Sequence, residues 1–493
     1  MKKQNLLLLL LIPSYFITRL INLNVIPIFT DEAIYSFWAQ VALHDPANRF
    51  ISLVDGKQPL FIWLAAVFQK FIPDPLIATR MVSVFAGCGS VVGIYLLSKT
   101  LFNKHVAIIA SILYIIMPFT LLYDRLALYD SLLAMFGIYA VLFSVLIARY
   151  LRLDLAFLNG FVIGFALITK SSAEFFIYLL PFSLIFAKFN KKNFKEKFIK
   201  WILLTLVTVI LAEAMYNSLR LSPLFYIIAR KNLSFIRTFP EVISNPFQFS
   251  ASNFKSLLQW LIGYLSLPLF IILILSSIYG LVKKNLTIFY LLIVISVPFF
   301  AEVIFNTVLY PRFILFYFPY IIITISFFIF ELFKIFSRYK NLLSIGLILI
   351  LLLPIYSSYK LLTDPVNSTI PKDDSNQFLN DWPSGYGVKE VTAYLKEQSK
   401  SQKIYVATEG TFGLLPYALQ IYFYGQTNPK VDGYWPVDTD NLPQKVLDIA
   451  RTQKTYLIFN ENQKEIKSSH LNFIVKYKKG IGGTYLRLYE ITP

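Results

Sequence analysis

Two adjacent carboxylates, Asp31 and Glu32, stand near the beginning of the chain, and a lysine, Lys57, follows 25 residues after Glu32. Asp31 and Glu32 come directly after the first apolar run, and Lys57 stands two residues before Pro59, which opens another apolar run. A carboxylate at the mouth of a membrane helix can act as a general base, because partial desolvation tunes its basicity. A lysine at the same boundary is a compact charge suited to a phosphate. These types and spacings predict base catalysis beside an anionic group.

Each of these residues also has a structural interpretation. Asp31 and Glu32 are acidic residues in a first helical turn, where carboxylates meet the helix dipole favourably and Thr30 can cap the helix. Lys57 can be a cation that extends along apolar surface to the membrane interface. Taken alone, neither motif decides between structure and chemistry.

Further charged residues stand at the ends of later apolar runs, where ionisable groups are costly and are candidates for function. Their alternatives are a salt bridge, a helix cap or an interfacial anchor. The candidate catalytic residues are Asp31, Glu32 and Asp130; the candidate phosphate-binding residues are Lys57, Arg312 and Arg237; further candidates are Tyr35, Arg80, Arg125 and Lys170.

Composition places the chain in the membrane. Of its 493 residues 56% are hydrophobic and only 15% are charged, and the mean hydropathy is +0.60. The apolar residues fall in long runs of spanning length, which is typical of a polytopic α-helical membrane protein.

The net charge of +18 does not indicate nucleic acid. Residues 361–493 contain 15 Lys and Arg against 14 Asp and Glu, so that +17 of the charge lies in the apolar part, where it marks cytoplasmic loops. The single cysteine, Cys88, excludes an intrachain disulfide and a cysteine-based zinc site. Three scattered histidines do not suggest a metal cluster, and no cofactor is indicated with certainty. A divalent metal stays open.

The apolar runs predict eleven crossings, within a range of about 11 to 13 helices. With the N-terminus in the cytoplasm, alternation puts the Lys- and Arg-rich loops inside, as the positive-inside rule demands, and the candidate residues outside. The run from Pro59 to Ile72 is too short to cross and is expected to lie in the outer interface. The predicted crossings are 6–22, 77–98, 106–123, 131–149, 153–169, 172–188, 200–219, 259–281, 286–304, 312–333 and 341–359.

Composition changes after Tyr359, where Pro, Gly, Asp and Ser become common. Short β-rich runs at 403–407 and 455–459 predict strands, and apolar spacing predicts helices near 386–400 and 441–451. We therefore expect a transmembrane domain over 1–360 with a first outer loop over 23–76 that holds interfacial helices. A linker over 361–383 and a small extracytoplasmic α/β domain over 384–493 follow.

Six motifs in order resemble the C-type glycosyltransferase superfamily, in its branch of aminoarabinose transferases and protein O-mannosyltransferases. The resemblance covers roughly the first 335 residues. The matching stretches are TDEAIYSFWA, DGKQPLFIWL, ATRMVSVFAG, LYDSLLAMF, LITKSSAEFFIYLLP and YPRFILFYFPYI.

This resemblance implies an integral membrane enzyme that moves a sugar from a polyprenyl-phosphate donor to a lipid, glycan or protein acceptor outside the cytoplasm. It implies Asp31 as the base, Lys57 and Arg312 at the donor phosphate, and Asp130 in the acceptor or catalytic region. Such chemistry needs a base for the hydroxyl and positive charge for the departing phosphate. A single displacement would invert the sugar.

The chain departs from the family pattern at several positions. Gly56 replaces a Glu, which leaves in doubt any metal held by that Glu, and Gln58 replaces the first Pro of Lys-Pro-Pro. Asp130-Ser131-Leu132 lacks a proline, and Lys170-Ser171-Ser172 lacks a Gly-Pro. The alternative function is a transporter or flippase for a polyprenyl-linked sugar. The expected location is the plasma membrane, with the N-terminus cytoplasmic.

Overall fold

The structure is a computed structural model that describes residues 3–188, 193–437, 442–460 and 468–492. Helices dominate up to Thr363, and a small α/β unit follows. In this first part the helices are α1 (Lys3–Leu20), α2 (Thr30–His44), α3 (Leu60–Gln69), α4 (Pro75–Leu101), α5 (Lys104–Ile116), α6 (Pro118–Tyr123), α7 (Tyr129–Tyr150), α8 (Leu153–Leu167), α9 (Glu174–Leu179), α10 (Phe194–Asn217), α11 (Tyr226–Asn232), α12 (Phe239–Ser244), α13 (Ser250–Leu265), α14 (Leu267–Val282), α15 (Leu286–Phe305), α16 (Phe318–Ile335) and α17 (Lys340–Thr363).

The membrane class is confirmed. Among the described residues six helical segments are long and apolar enough to cross a bilayer, and a bent pair raises the number to seven. The chain is therefore a multi-pass membrane protein. The six segments are Pro75–Leu101, Tyr129–Tyr150, Phe194–Leu221, Leu286–Phe305, Phe318–Ile335 and Ser337–Thr363.

The other predicted crossings coincide with helical segments that are shorter or broken. The predicted crossing over 259–281 coincides with a bent helix pair, because α13 and α14 meet there at 109°. Ser266 at the junction has a φ of +67°, and Pro268 removes a backbone donor just beyond it. The predicted span 172–188 is divided between the α-helix α9 and a 3₁₀ segment, Leu180–Phe186.

The second unit confirms the prediction of a small α/β domain. Its sheet has the strand order β2-β1-β3-β5-β4 among the described residues, with β2, β1 and β3 parallel and β5 antiparallel to both β3 and β4. Helices cover it, and α20 also packs on α2 of the membrane part. The elements are α18 (Lys372–Ser375), α19 (Val388–Ser401), β1 (Ile404–Glu409), α20 (Leu414–Phe423), β2 (Lys430–Tyr434), α21 (Gln444–Ala450), β3 (Lys454–Phe459), β4 (Leu471–Lys478) and β5 (Tyr485–Ile491).

The stretch predicted as a linker, 361–383, packs against the membrane helices. The buried carboxylate of Asp374 accepts hydrogen bonds from the hydroxyls of Tyr123 and Tyr264, and the neighbouring Asp373 accepts one from the indole of Trp260. These contacts attach the segment to α6 and α13.

A fully buried ion pair fixes the start of α2. Glu32 forms a two-pronged contact with Arg80 of α4, at 2.8 and 2.7 Å. Its oxygens also accept from the backbone N–H groups of Phe29 and Ala127, at 3.0 and 2.7 Å. Arg80 uses its remaining donors on the carbonyls of Leu23, Ile26 and Pro27. Every charged group in this contact is thus satisfied, as burial requires.

We predict that Arg80→Ala destabilises the fold by about 3–5 kcal/mol, because it leaves the Glu32 carboxylate buried without its partner. Thermal unfolding of the purified protein in detergent measures the change. Arg152→Ala is the matched control, since Arg152 and Asp154 form a solvent-exposed pair, 64% and 54% exposed. Equal melting temperatures for the two variants would contradict the structural role of Arg80.

Candidate active site

Asp31 and Arg312 form an ion pair across 281 positions of sequence. Asp31 lies in the first turn of α2, and Arg312 lies in a 3₁₀ segment, Pro311–Phe316, that precedes α16. The guanidinium Nη1 donates to Asp31 Oδ2 at 2.8 Å. The Asp31 side chain is 24% exposed and the Arg312 side chain is 13% exposed, so that the pair remains open to a ligand.

Two further ion pairs belong to the same region. Lys170, between α8 and α9, donates to Asp130 Oδ1 in the first turn of α7 at 2.6 Å. Lys231 of α11 donates to Asp55 Oδ1 at 2.5 Å. The charges of Asp31, Asp55 and Lys170 all act on Lys57, so each of the three ion pairs has a member near Lys57.

Lys57 is the cation of this cluster that has no ion-pair partner among the described residues. Its ammonium lies 5.6 Å from the ring centre of Phe235. Burial lowers the pKa of Lys57, with Asp31 opposing this effect and Arg312 adding to it. The cluster contains four cations, Lys57 and the three paired with Asp31, Asp55 and Asp130, against those three carboxylates. It therefore carries one excess positive charge when all groups are ionised. That excess suits an anionic ligand.

The backbone beside Lys57 leaves no room for a side chain. Gly56 has a φ of +67°, and a Cβ built there would stand 2.6 Å from Lys231 Cβ and 2.9 Å from the Ile227 carbonyl. The close approach of α11 therefore explains why a glycine stands where the resembling family has a Glu. The Lys231 side chain lies over this position and pairs with Asp55.

Two departures from the family pattern contact each other. Gln58 Nε2 donates to Ser171 Oγ at 2.7 Å, and Asn232 Nδ2 donates to the same oxygen at 3.0 Å. This hydroxyl joins the segment that bears Lys57, the segment that bears Lys170 and helix α11. These hydrogen bonds connect the segments where the family pattern has a proline, at Gln58, and a glycine, at Ser171.

Four predicted site residues are held by structural contacts instead. Glu32 and Arg80 form the buried pair described above. Arg125 donates to four backbone carbonyls between Thr18 and Asn22 and does not pair with Asp130. Arg237 donates to the carbonyls of Asn245 and Ile304. These contacts tie Glu32, Arg80 and Arg125 to other groups of the chain, whereas the buried Nε of Arg237 has no hydrogen-bond partner among the described residues.

Aromatic rings form one wall of the site. Tyr35 is buried and packs edge-on against Tyr129, with ring centres 4.7 Å apart, and Tyr129 packs on Phe61 at 4.9 Å. The buried Tyr129 hydroxyl has no hydrogen-bond partner among the described residues. Burial, assisted by the charge of Asp31, raises the pKa of Tyr35 well above its ordinary value.

No group of three His, Cys, Asp or Glu side chains that could hold a metal ion occurs in the part of the chain that the structure describes. The carboxylates of the site are paired with cations instead.

Sequence reasoning missed two buried groups. One is the ion pair Arg19–Asp124, in which Arg19 Nη2 lies 3.2 Å from Asp124 Oδ2. The other is the carboxylate of Asp374. Burial raises the pKa of Asp374 to about 7. Arg19 could have been found as a charge at the end of an apolar run. Asp374 carries no sequence signal, since it lies in a polar stretch.

Comparison with known proteins agrees with this architecture. Residues 56–216 match the family model described as dolichyl-phosphate-mannose-protein mannosyltransferase. A comparison with curated protein sequences finds no match.

Solved structures extend the agreement to nearly the whole chain. ArnT from Cupriavidus metallidurans, solved with undecaprenyl phosphate, has a TM-score of 0.60 at 12% identity and covers 98% of this chain and 97% of its own. The oligosaccharyltransferase AglB from Archaeoglobus fulgidus, solved with an inhibitory peptide and a dolichol-phosphate, has a TM-score of 0.53 at 12% identity, covering 93% and 69%. The chain therefore has the C-type glycosyltransferase fold.

We predict that Gly56→Ala disturbs the site by displacing α11, because it adds a Cβ at a positive φ against Lys231. The expected cost exceeds about 1 kcal/mol of stability. Gly346→Ala in α17 is the control, since no atom lies within 4 Å of its Cβ position. Thermal unfolding of both variants in detergent distinguishes them, and a neutral Gly56→Ala would argue against the close approach of α11.

Proposed function

We propose that this chain, which has the C-type glycosyltransferase fold, is a membrane enzyme that transfers a sugar from a polyprenyl-phosphate donor to an acceptor hydroxyl. The observation that carries the proposal is the contact between a candidate base, Asp31, and a candidate phosphate ligand, Arg312. The mannosyltransferase family match and the lipid phosphates bound by the two structural neighbours support the donor class.

Lys57 and Arg312 are proposed to hold the donor phosphate. Lys57 lacks an ion-pair partner among the described residues, and Arg312 presents a planar guanidinium whose geometry matches phosphate. As the glycosidic bond breaks, negative charge grows on the departing phosphate. The two cations stabilise that charge more in the transition state than in the bound donor, which lowers the barrier.

Asp31 is proposed to be the base. Arg312 holds the Asp31 carboxylate, and an incoming phosphate competes for the same guanidinium. Donor binding thus frees the Asp31 carboxylate to accept the proton of the acceptor hydroxyl, whose oxygen attacks the anomeric carbon. The new bond forms as the bond to phosphate breaks, so the configuration at that carbon inverts. Asp130, held by Lys170, lies in the same cluster and is proposed to orient the acceptor.

The orientation predicted by the positive-inside rule belongs to this proposal. The protein lies in the plasma membrane with its N-terminus in the cytoplasm. The cluster of ion pairs around Lys57 and the α/β domain then lie outside the cytoplasm. A lipid-linked donor suits that side, because its sugar can be delivered where nucleotide sugars are not available. The acceptor is a lipid, glycan or protein.

We predict that Asp31→Asn lowers kcat by about 10²–10⁴-fold, the range expected when a general base is lost. The measurement is formation of covalent product from a radiolabelled polyprenyl-phosphate sugar in proteoliposomes. Asp154→Asn, at an exposed pair, is the control and should keep full activity. Full product formation by Asp31→Asn would refute the base, whereas lipid movement across vesicles without any product would favour a transporter.

We predict that the donor KM rises at alkaline pH, beginning below the ordinary lysine value of about 10.4. Burial lowers the pKa of Lys57, so its ammonium loses its proton as pH rises through that lowered value and phosphate affinity falls. Lys57→Arg should remove the rise, because a guanidinium stays charged. Steady-state kinetics across the alkaline range tests this, and an unchanged pH profile in Lys57→Arg would exclude Lys57 from the phosphate site.

A further inference from the structure

The α/β domain contains an open cavity of about 380 Å³ beside β2. Thr411 lines it from the loop after β1, and Gly433 and Tyr434 line it from the end of β2. The cavity extends along β2, an edge strand of the sheet, because Lys430 at the start of the strand and Asp432 at its middle also line it. The remaining lining residues are Pro416, Tyr417, Gln420, Lys430, Asp432 and Lys445.

The lining offers neutral and charged hydrogen-bonding groups together with aromatic rings. Asp432 Oδ2 accepts from the Tyr405 hydroxyl at 2.7 Å and from Lys430 at 3.0 Å, and the hydroxyls of Tyr405 and Tyr434 lie 2.6 Å apart. This network fixes the carboxylate beside the cavity. Carboxylate, amide and hydroxyl groups complement the hydroxyls of a sugar, and a tyrosine ring complements its apolar C–H face. The volume lies within the usual range for small-ligand sites, roughly 300–1,000 Å³.

Helix α2 connects this cavity to the candidate base. Tyr417, which lines the cavity, stacks on Phe37 of α2 with ring centres 4.6 Å apart. Phe37 stands six residues after Asp31, a rise of roughly 9 Å along an α-helix. Phe412, in the loop after β1, is 50% exposed and lies 6.3 Å from Trp38, again measured between ring centres. An exposed aromatic thus stands between the cavity and the membrane site.

We propose that this cavity binds the saccharide part of a glycan acceptor, so that a sugar distant from the reacting hydroxyl is held by the α/β domain while that hydroxyl reaches Asp31. The inference rests on the proposed function for the transfer step, but binding itself does not depend on it. The cavity would recognise neutral sugar units through Asp432, Gln420 and the tyrosines. Phe412, which is exposed beside Trp38 of α2, would guide the chain of sugars toward the membrane.

Binding is tested on the full chain in nanodiscs by saturation-transfer NMR with three trisaccharide probes, built of mannose, of glucose and of N-acetylglucosamine. Asp432→Asn should weaken the binding of the preferred probe about tenfold. Asp448→Asn, a carboxylate 54% exposed in the same domain and outside the cavity, is the matched control and should stay within twofold. Absence of saturable binding for all three probes, or equal binding by the two variants, overturns the proposal.

A second arm separates this site from the reaction centre. Arg312→Gln should abolish transfer and leave trisaccharide binding intact. Loss of binding in that variant would place the sugar at the membrane site and refute the cavity. In the active enzyme, Asp432→Asn should raise the KM for a trisaccharide acceptor about tenfold without changing kcat or the KM for a monosaccharide acceptor. If the unmodified protein transfers no sugar but its cavity still binds the trisaccharide, the proposed function fails and the cavity proposal stands.

Discussion

The contact between Glu32 and Arg80 is the interaction on which the site depends. Both side chains are fully buried, and the carboxylate also accepts hydrogen bonds from the backbone at the start of α2 and before α7. Such a group is tolerated in the interior only with all its partners in place. The contact therefore fixes the direction in which α2 leaves the membrane part, and with it the direction of the neighbouring Asp31. Of the two adjacent carboxylates, Glu32 is held by Arg80 and Asp31 pairs with Arg312.

The site itself is assembled from short segments rather than from one element. The ion pairs Asp31–Arg312, Asp130–Lys170 and Asp55–Lys231 each join a helix start or 3₁₀ turn to another part of the chain. In a medium of low dielectric constant each pairing strongly favours one geometry, since a misplaced partner leaves a charge unsatisfied. Lys57 is the exception, because it has no ion-pair partner among the described residues.

Differences from the family pattern are coupled in space. Gln58 and Ser171 stand where the family has prolines or glycine, and the structure joins them by a hydrogen bond that Asn232 also shares. Gly56 accommodates α11, whose Lys231 lies over the position of the missing Glu. The ammonium of Lys231 is paired with Asp55.

Sequence alone determined the membrane class, the helical character of the apolar runs, the small α/β domain and the charged residues from which the site is built. These follow from local properties, because hydropathy and residue spacing depend only on neighbours along the chain. Tertiary structure decided which charges meet. It paired Glu32 with Arg80 and Asp31 with Arg312, gave Arg125 and Arg237 backbone carbonyls as partners, and bent the run 259–281 at Ser266. Those outcomes depend on how distant helices pack, and the burial produced by that packing determines which charged groups need a protein partner.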